Sequence, residues 1–134
     1  MHLGVSEAVS FEGQQPQDRI PDYIRAADIG LIPHLKSVHT DNTIPHKLFH
    51  YMHMGLPVVA SDCAPLRRIV EGEEAGVIYP SGDAAALAEA VIALAADEKA
   101  RNRMGESGKR AVAERYNWQA TAEILVSTYA RLLG

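Results

Sequence analysis

Residues 43–62, TIPHKLFHYMHMGLPVVASD, combine loop, helix and strand signals in that order. Apolar residues recur at helical spacing up to Gly55, a residue suited to the left-handed conformation that ends many helices. Pro45 fits the first turn of such a helix. The apolar run from Leu56 to Ala60 then predicts a short, buried strand. This segment constrains the fold strongly, because such a strand belongs inside a sheet covered by helices.

The remainder of the chain repeats this alternation of helical periodicity and short apolar runs. Uniformly apolar strands that alternate with helices indicate a parallel sheet covered on both faces. The predicted fold class is α/β: a partial doubly wound parallel sheet with C-terminal helices. Predicted strands cover Ala8 to Phe11, Ile29 to Ile32, Leu56 to Ala60 and Gly76 to Tyr79; predicted helices cover Asp18 to Ala27, Thr43 to Met54 and Pro65 to Val70, with three more between Asp83 and Leu133.

The two most polar connections of the chain lie at one edge of this predicted sheet. The loop from His34 to Asn42 follows the second predicted strand, and the turn from Ser61 to Ala64 follows the third. In doubly wound sheets, ligands bind outside the carboxyl ends of the strands. A helix beginning near Thr43 would also offer free backbone N–H groups to an anion. These features predict a site for an anionic, hydroxyl-rich ligand such as a sugar nucleotide.

Length and composition exclude several classes of protein. The chain has 134 residues, of which 47% are hydrophobic and 22% charged, and a net charge of −4, as expected for one globular domain. It has no basic stripe, so no nucleic-acid partner is expected. No apolar run approaches the roughly 20 residues of a transmembrane helix, and the N-terminus lacks a signal peptide's apolar core. Cys63 is the only cysteine, so no internal disulfide can form. The expected location is the cytoplasm.

Three segments resemble the family-four glycosyltransferases, which have the two-domain GT-B fold. They are VSFEG (9–13) followed by IPDYIRAADIGLIP (20–33), the segment 43–62, and AGVIYP (75–80) followed by a helix. Aromatic Tyr116 and Trp118 at the start of the last helix are also usual in the family. Order, spacing and register agree over nearly the whole chain. The resemblance implies a Rossmann-like half of a GT-B fold that binds a nucleotide-sugar donor, and sugar transfer with retention of configuration.

The resemblance also implies which residues contact the donor: Asn42, Thr43, Ile44, Lys47 and His50. Family members typically carry glutamates at the positions of Asn42 and His50; the second holds the ribose hydroxyls and the first lies near the transferred sugar. Both carboxylates are absent here, although a branch of the family with a TIPxK opening tolerates other residues at these places. Histidine can still donate to or accept from a ribose hydroxyl. His50 is therefore assigned to the ribose and Lys47 to the phosphates. Catalytic residues stay unassigned, and no metal or other cofactor is expected.

Two parts of a GT-B enzyme have no counterpart in this sequence. One is the acceptor-binding first domain; the other is the glycine-containing strand and turn, with basic residues for the diphosphate, that open the donor domain. The chain, as one domain over residues 1–134, is therefore expected to be a C-terminal donor-binding part that transfers no sugar alone. An incomplete sheet edge favours self-association. Besides a nucleotide sugar, the expected partner is a second copy or a complementing N-terminal part.

Other interpretations of the same residues stay open. Asn42 and Thr43 are also favoured as simple helix caps, and Lys47 as a solvated charge. His46, His50 and His53 have a helical spacing that suits a transition metal. The alternative function is a non-catalytic domain that binds nucleotide sugar or forms an oligomer, with a histidine metal-binding protein ranked below it. The donor sugar, its base and the acceptor are left unassigned.

Overall fold

Three parallel strands and six α-helices make up the described part of the protein. The structure, a computed structural model, describes residues 4–134. Within that range no helix is both long and apolar enough to cross a membrane. In chain order the elements are α1 (Ile20–Ala26), β1 (Gly30–Ile32), α2 (His46–His53), β2 (Val58–Ser61), α3 (Ala64–Gly72), β3 (Gly76–Tyr79), α4 (Ala84–Ala96), α5 (Glu98–Glu114) and α6 (Trp118–Leu133).

The sheet has the order β1-β2-β3, and both pairs of strands are parallel. The register aligns Leu31 with Val59 and Val59 with Val77. Successive side chains of a strand point to opposite faces of the sheet. Leu31, Val59 and Val77 therefore face one side, and the aligned residues one position later, Ile32, Ala60 and Ile78, face the other. The predicted α/β class with a parallel sheet is confirmed.

Helices cover both faces of the sheet. The smaller of two core clusters contains Val59, Tyr79, Leu94 and Ala100, and α4 packs on it. Helix α5 contributes to both clusters and therefore joins the two layers. Burying one large apolar side chain stabilises the fold by about 1.5–3 kcal/mol. The larger cluster joins the sheet to α2, α3 and the end of α5, and includes Ile32, Leu48, Met52, Val58, Ala60, Leu66, Ile69, Val70, Ala111 and Val112.

The strand predicted from Ala8 to Phe11 is wrong. Residues 8–11 have no regular secondary structure, and Phe11 is 95% exposed. A strand is stable only beside a neighbour that satisfies its backbone N–H and C=O groups. No described strand lies beside residues 8–11. The described sheet therefore has three strands instead of the predicted four, and β1 is an outer strand.

Two helices begin later than predicted. Helix α2 begins at His46 and not at Thr43, because Pro45 has an extended backbone with φ −70° and ψ 132°. The residue before a proline is also biased away from helical dihedrals. Helix α1 begins at Ile20 and not at Asp18, because residues 17–19 form one turn of 3₁₀ helix. In both cases the regular α-helix begins two or three residues after the point that the apolar periodicity predicts.

The end of α2 is as predicted. Gly55 has φ 74°, which is the left-handed conformation that glycine adopts without steric cost. The backbone N–H of Leu56 donates to the carbonyl of Tyr51 at 2.9 Å, which closes the helix end. The chain then enters β2 directly.

Helix α2 packs closely on α5 because α5 has glycines at the contact. A Cβ atom at Gly105 would overlap the carbonyl oxygen of Gly55, and one at Gly108 would lie 3.3 Å from the Cα atom of Met52. Glycine in a helix interior costs about 0.5–1 kcal/mol relative to alanine. The close approach of the two helix backbones compensates for that cost by burying Met52 completely.

A polar cluster adds a second connection between α5 and the rest of the core. The Glu73 carboxylate, 14% exposed, accepts hydrogen bonds from the Arg115 guanidinium and from the Tyr116 hydroxyl, the latter at 3.0 Å. The Tyr116 ring in turn packs on Phe49 of α2, with 5.2 Å between ring centroids. Hydrogen bonds from Arg115, followed by that from Tyr116, hold the pKa of Glu73 below its ordinary value against the opposing effect of burial.

We expect Gly105→Ala to lower the free energy of unfolding by about 1–3 kcal/mol, because the new methyl group forces the two helices apart. Urea unfolding followed by circular dichroism measures this. Gly72→Ala is the matched control: it also lies in a helix, but nothing lies within 4 Å of the added Cβ atom. Its stability should change by less than about 0.5 kcal/mol or rise. Equal stabilities of Gly105→Ala and the unaltered protein would contradict close packing here.

We expect Glu73→Gln to cost about 1–2 kcal/mol at pH 7, because the charged hydrogen bonds to Arg115 and Tyr116 are weakened. Since the folded-state pKa of Glu73 lies below the ordinary value of 4.5, the difference should be full above about pH 4.5 and vanish as the pH falls through the folded-state pKa. Urea unfolding at several pH values tests this. Glu114→Gln, which removes an exposed partner of the same arginine, should have almost no effect.

Candidate functional site

The carboxyl ends of the three strands are tied together by one hydrogen-bond network. Asp62, which follows β2, accepts from the backbone N–H of Ser81 after β3 at 2.9 Å. The Ser81 hydroxyl accepts from the backbone N–H of Lys36 at 2.8 Å and donates to the carbonyl of His34 at 3.2 Å. Lys36 and His34 both belong to the loop after β1. This network therefore holds the loops after all three strands in fixed relative positions.

Asp62 serves this network as an ionised carboxylate. The Ser81 N–H is the main reason that its pKa lies below the ordinary value. Partial burial opposes the shift, whereas Lys36 and Arg67, with nitrogen atoms 3.8 Å and 3.9 Å from Oδ2, support it. A carboxylate with these partners positions loops and is a poor proton acceptor at neutral pH.

The loop after β1 is also anchored to α3. The Asp41 carboxylate accepts a hydrogen bond from the backbone N–H of Ala64, the first residue of α3, at 2.9 Å. It supplies the side-chain cap that Cys63, at the N-cap position, does not provide. Inside the loop, the Thr40 hydroxyl donates to the Leu35 carbonyl at 2.9 Å. The contact between Asp41 and Ala64 joins residues 23 positions apart, so no local pattern predicted it.

Asn42 and Thr43 do not cap α2, and the cap interpretation is wrong. The Asn42 amide donates to a carbonyl of the same loop at 2.7 Å, and the Thr43 hydroxyl donates to another at 2.9 Å. The N-cap residue of α2 is Pro45, and no side chain caps that helix. The physical reason is the later start of α2, which places both residues in the loop. Ile44, the third predicted donor contact, packs against the larger core cluster.

Lys47 and His50, the two other predicted site residues, line one cleft between α1 and α2. The cleft has a volume of about 390 Å³. Tyr23 offers an aromatic face and a hydroxyl, and Lys47 is the only lysine or arginine in the lining. The remaining lining residues are Glu12, Gly13, Gln15, Ile20, Ile24 and Tyr51. An apolar wall with a few polar groups is typical of small-molecule sites.

A second, smaller cleft of about 210 Å³ lies on the other side of His50. It shares Ile20, Ile24 and His50 with the first cleft and adds His53 and Met54 of the α2 end. The His50 imidazole is exposed and therefore lies on the ridge between the two spaces. It can present a ring nitrogen to a ligand in either of them.

The charge of Lys47 also acts on the loop after β1. Burial lowers the pKa of the Lys47 ammonium. The pKa of His34 is lowered as well, first by burial and then by the charges of Lys47 and His39. Sequence reasoning placed His34 at the carboxyl edge of the sheet only as the start of a loop and gave it no role.

The described residues do not form the metal site considered for His46, His50 and His53. Among residues 4–134, no group of three or more His, Cys, Asp or Glu side chains lies close enough together to hold a metal ion. His46, His50 and His53 share a helix but do not meet a further ligand that completes a site.

A family model described as glycosyl transferases group 1 matches residues 1–97 of the chain. A phosphatidyl-myo-inositol mannosyltransferase of Mycobacterium leprae is 33% identical over 126 residues, which is 94% of this chain and 32% of that protein. A D-inositol 3-phosphate glycosyltransferase of Nocardia farcinica is 32% identical over 133 residues, which is 98% of this chain and 28% of that protein. The chain spans about a third or less of the length of these curated relatives.

Solved structures show the same architecture. A sucrose-phosphate synthase from Thermosynechococcus elongatus superposes with a TM-score of 0.83 and 28% identity, covering 97% of this chain and 31% of the synthase chain. The C-terminal domain of a group 1 family glycosyl transferase from Francisella tularensis gives a TM-score of 0.67 over 86% of this chain and 60% of that domain. At 20% identity this second match supports the fold alone. The resemblance inferred from the three sequence segments is confirmed, and the chain belongs to the group 1 family of glycosyl transferases.

Proposed function

We propose that this chain is the donor-binding part of a glycosyltransferase that transfers a sugar from a nucleotide sugar to an acceptor. Family membership supports the reaction class. On this proposal, residues 1–134 form one domain of a GT-B enzyme that acts in the cytoplasm, and the acceptor is bound by polypeptide outside this chain. The relatives of known name act as mannosyl- or glycosyltransferases.

The cleft between α1 and α2 is the observation that carries the proposal. Its volume of about 390 Å³ lies within the usual range of small-molecule sites. It combines an aromatic ring on Tyr23, an ammonium on Lys47 and an imidazole on His50. A nucleotide needs these three kinds of contact: a flat surface for the base, hydrogen-bonding groups for the ribose and a cation for the phosphates.

We assign His50 to the ribose hydroxyls and Lys47 to the phosphates. Lys47 lies in the first turn of α2, where backbone N–H groups without intrahelical partners also favour an anion. Asn42, Thr43 and Ile44 belong to the loop that leads into this turn and would border the donor. Asn42 uses its amide to brace that loop. No residue is assigned to catalysis, and the proposed donor site needs no metal ion.

One observation favours the alternative function, a domain that mainly associates with other polypeptide. Helix α6 contains no buried residue, and Trp118 at its start is 75% exposed. Exposed apolar surface of this extent is typical of contact sites. Either a second copy or the complementing part of a larger enzyme would cover it. The further exposed apolar residues of α6 are Ile124, Leu125, Val126, Tyr129, Leu132 and Leu133.

We expect His50→Glu to strengthen the binding of uridine or guanosine diphosphate, because a carboxylate can accept hydrogen bonds from both ribose hydroxyls. A hydrogen bond to a charged group contributes about 1.5–3 kcal/mol, so the dissociation constant should fall at least tenfold from a starting value on the order of millimolar. Amide chemical shifts in a nucleotide titration measure both the affinity and the site.

His53→Glu is the matched control for His50→Glu, since it makes the same change one turn later on α2 and outside the larger cleft. It should leave nucleotide affinity unchanged within about twofold. The ribose assignment is wrong if His50→Glu abolishes binding, or if nucleotide shifts map to α4 and α5 instead of the cleft.

We expect the chain alone to transfer no sugar. A GT-B enzyme reacts in the space between two domains, and this chain spans about a third or less of the length of its curated relatives. Incubation with a panel of nucleotide sugars and analysis of products by mass spectrometry measures this. Turnover beyond spontaneous hydrolysis, lost in a Lys47→Met variant but kept in Lys99→Met, would show that the chain has a complete active site of its own.

A further inference from the structure

The apolar side of α6 is not covered by the rest of the described chain. No residue of this helix is buried, and neither core cluster of the described residues includes one of its side chains. Its contacts with the other helices and strands are slight. The accessible surface of the chain is 9370 Å², whereas a compact monomer of 14.6 kDa exposes about 6,900 Å². An uncovered helix contributes to this excess.

A helix of this kind depends on a packing partner. Helix α6 has 16 residues, about the length at which an isolated helix is marginal in water. The Asn117 side chain caps its start by accepting from the backbone N–H of Ala120 at 2.9 Å. Six of its residues are β-branched or aromatic, however, and these residue types lower helix propensity. Its stability therefore has to come from burial of the apolar side.

The apolar side forms a continuous stripe with coiled-coil spacing. Five of its residues recur at alternating steps of four and three, which places them along one line of the helix. The large side chains of the stripe are between 48% and 84% exposed. The two charged residues of α6, Glu123 and Arg131, lie outside it. The α6 stripe consists of Trp118, Ala122, Leu125, Tyr129 and Leu132, with Val126 and Leu133 along one side.

The α6 stripe has enough surface for a stable dimer. Together its exposed apolar side chains can bury on the order of 700 Å² per copy. A standard stable interface buries roughly 800 Å² per partner. Because the stripe contains no charged residue, pairing it with itself brings no like charges together and buries no unpaired charge.

The order of side chains in the stripe favours an antiparallel pair. In an antiparallel pair centred on residue 127, Ala122 of one copy lies level with Leu132 of the other, and Leu125 lies level with Tyr129. A larger side chain then meets a smaller one at each level, which fills the interface evenly. A parallel pair would set Ala122 against Ala122 and Tyr129 against Tyr129, so that one level is underpacked and another is crowded.

The position of α6 in the chain favours the same direction. Helix α5 ends just before Asn117, so the rest of the protein is joined to the N-terminal end of α6. The helix is about 24 Å long, at 1.5 Å per residue. An antiparallel pair places the two protein bodies at opposite ends of the helices, whereas a parallel pair would force them into the same space.

We propose that α6 pairs with α6 of a second copy of this chain, antiparallel and through the α6 stripe, to form a two-fold symmetric dimer. The interface is self-complementary, since Leu125 of each copy contacts Tyr129 of the other. The inference goes beyond donor binding and does not depend on it, because α6 contributes no residue to the described lining of either cleft.

Sedimentation equilibrium of the full chain tests the dimer. We expect twice the mass of 14.6 kDa at about 100 micromolar and dissociation into monomers on dilution towards about 1 micromolar. A monomer at the higher concentration overturns the proposal and indicates that a different polypeptide covers α6.

Variants on two sides of the helix locate the interface. Leu125→Glu should raise the dissociation constant of the dimer at least tenfold, because it sets a carboxylate against an apolar surface. Tyr129→Lys should weaken the dimer in the same way. Ser127→Glu is the matched control: it adds the same charge on the opposite side of α6 and should change the dissociation constant by less than about twofold. A dimer unaffected by Leu125→Glu, or weakened equally by Ser127→Glu, contradicts the proposed interface.

A mixture of the two stripe variants tests the antiparallel direction. In the mixed dimer, the carboxylate of the Leu125→Glu copy lies opposite the ammonium of the Tyr129→Lys copy, and the other contact of the pair keeps its original residues. The mixture should therefore form dimers at a concentration at which each variant alone is monomeric. In a parallel pair, position 125 meets position 125 and mixing restores nothing, so a mixture that stays monomeric overturns the antiparallel pairing. Circular dichroism of each variant confirms that its helices are retained.

Discussion

The contact between α2 and α5 is the packing interaction on which the candidate site depends. Gly105 and Gly108 let the two backbones come so close that Gly55 and Met52 lie directly against α5. Since Lys47 and His50 project from α2, their positions relative to the sheet follow from this contact. The chain accepts two glycines inside a helix, and their cost in helix stability, to fix the helix that carries its candidate ligands.

The edge of the sheet contributes the second half of the site by polar contacts. Asp62 and Ser81 join the loops after β2 and β3, and Asp41 joins the loop after β1 to α3. These groups are satisfied within the protein, so they hold positions and leave ligand contacts to others. The ionisable side chains that line the cleft itself, Lys47 and His50, come from α2.

Much of the fold could be predicted from the sequence because its signals are local. Apolar periodicity located β1, β2, β3 and the helices, and Gly55 marked the end of α2. The prediction failed where tertiary context decides. Residues 8–11 have a strand-like composition but no described neighbour to pair with, and Pro45 delayed the start of α2 beyond the apolar pattern. For the site, local spacing placed Lys47 and His50 on one helix and the structure puts both in one cleft. The hydrogen bond from the Ser81 hydroxyl to the His34 carbonyl is a contact across the fold, which no spacing in the sequence reveals.

The path of α5 has a consequence for the order of folding. This helix touches both core clusters and supplies the surface against which α2 rests, yet it comes late in the chain. During synthesis, α2 and the loop before it exist without their packing partner until Gly108 has been added. Contacts between such distant segments slow folding, because the intervening chain must be ordered first. The candidate ligand groups on α2 are therefore made before α5 and can reach their final positions only after α5 has packed.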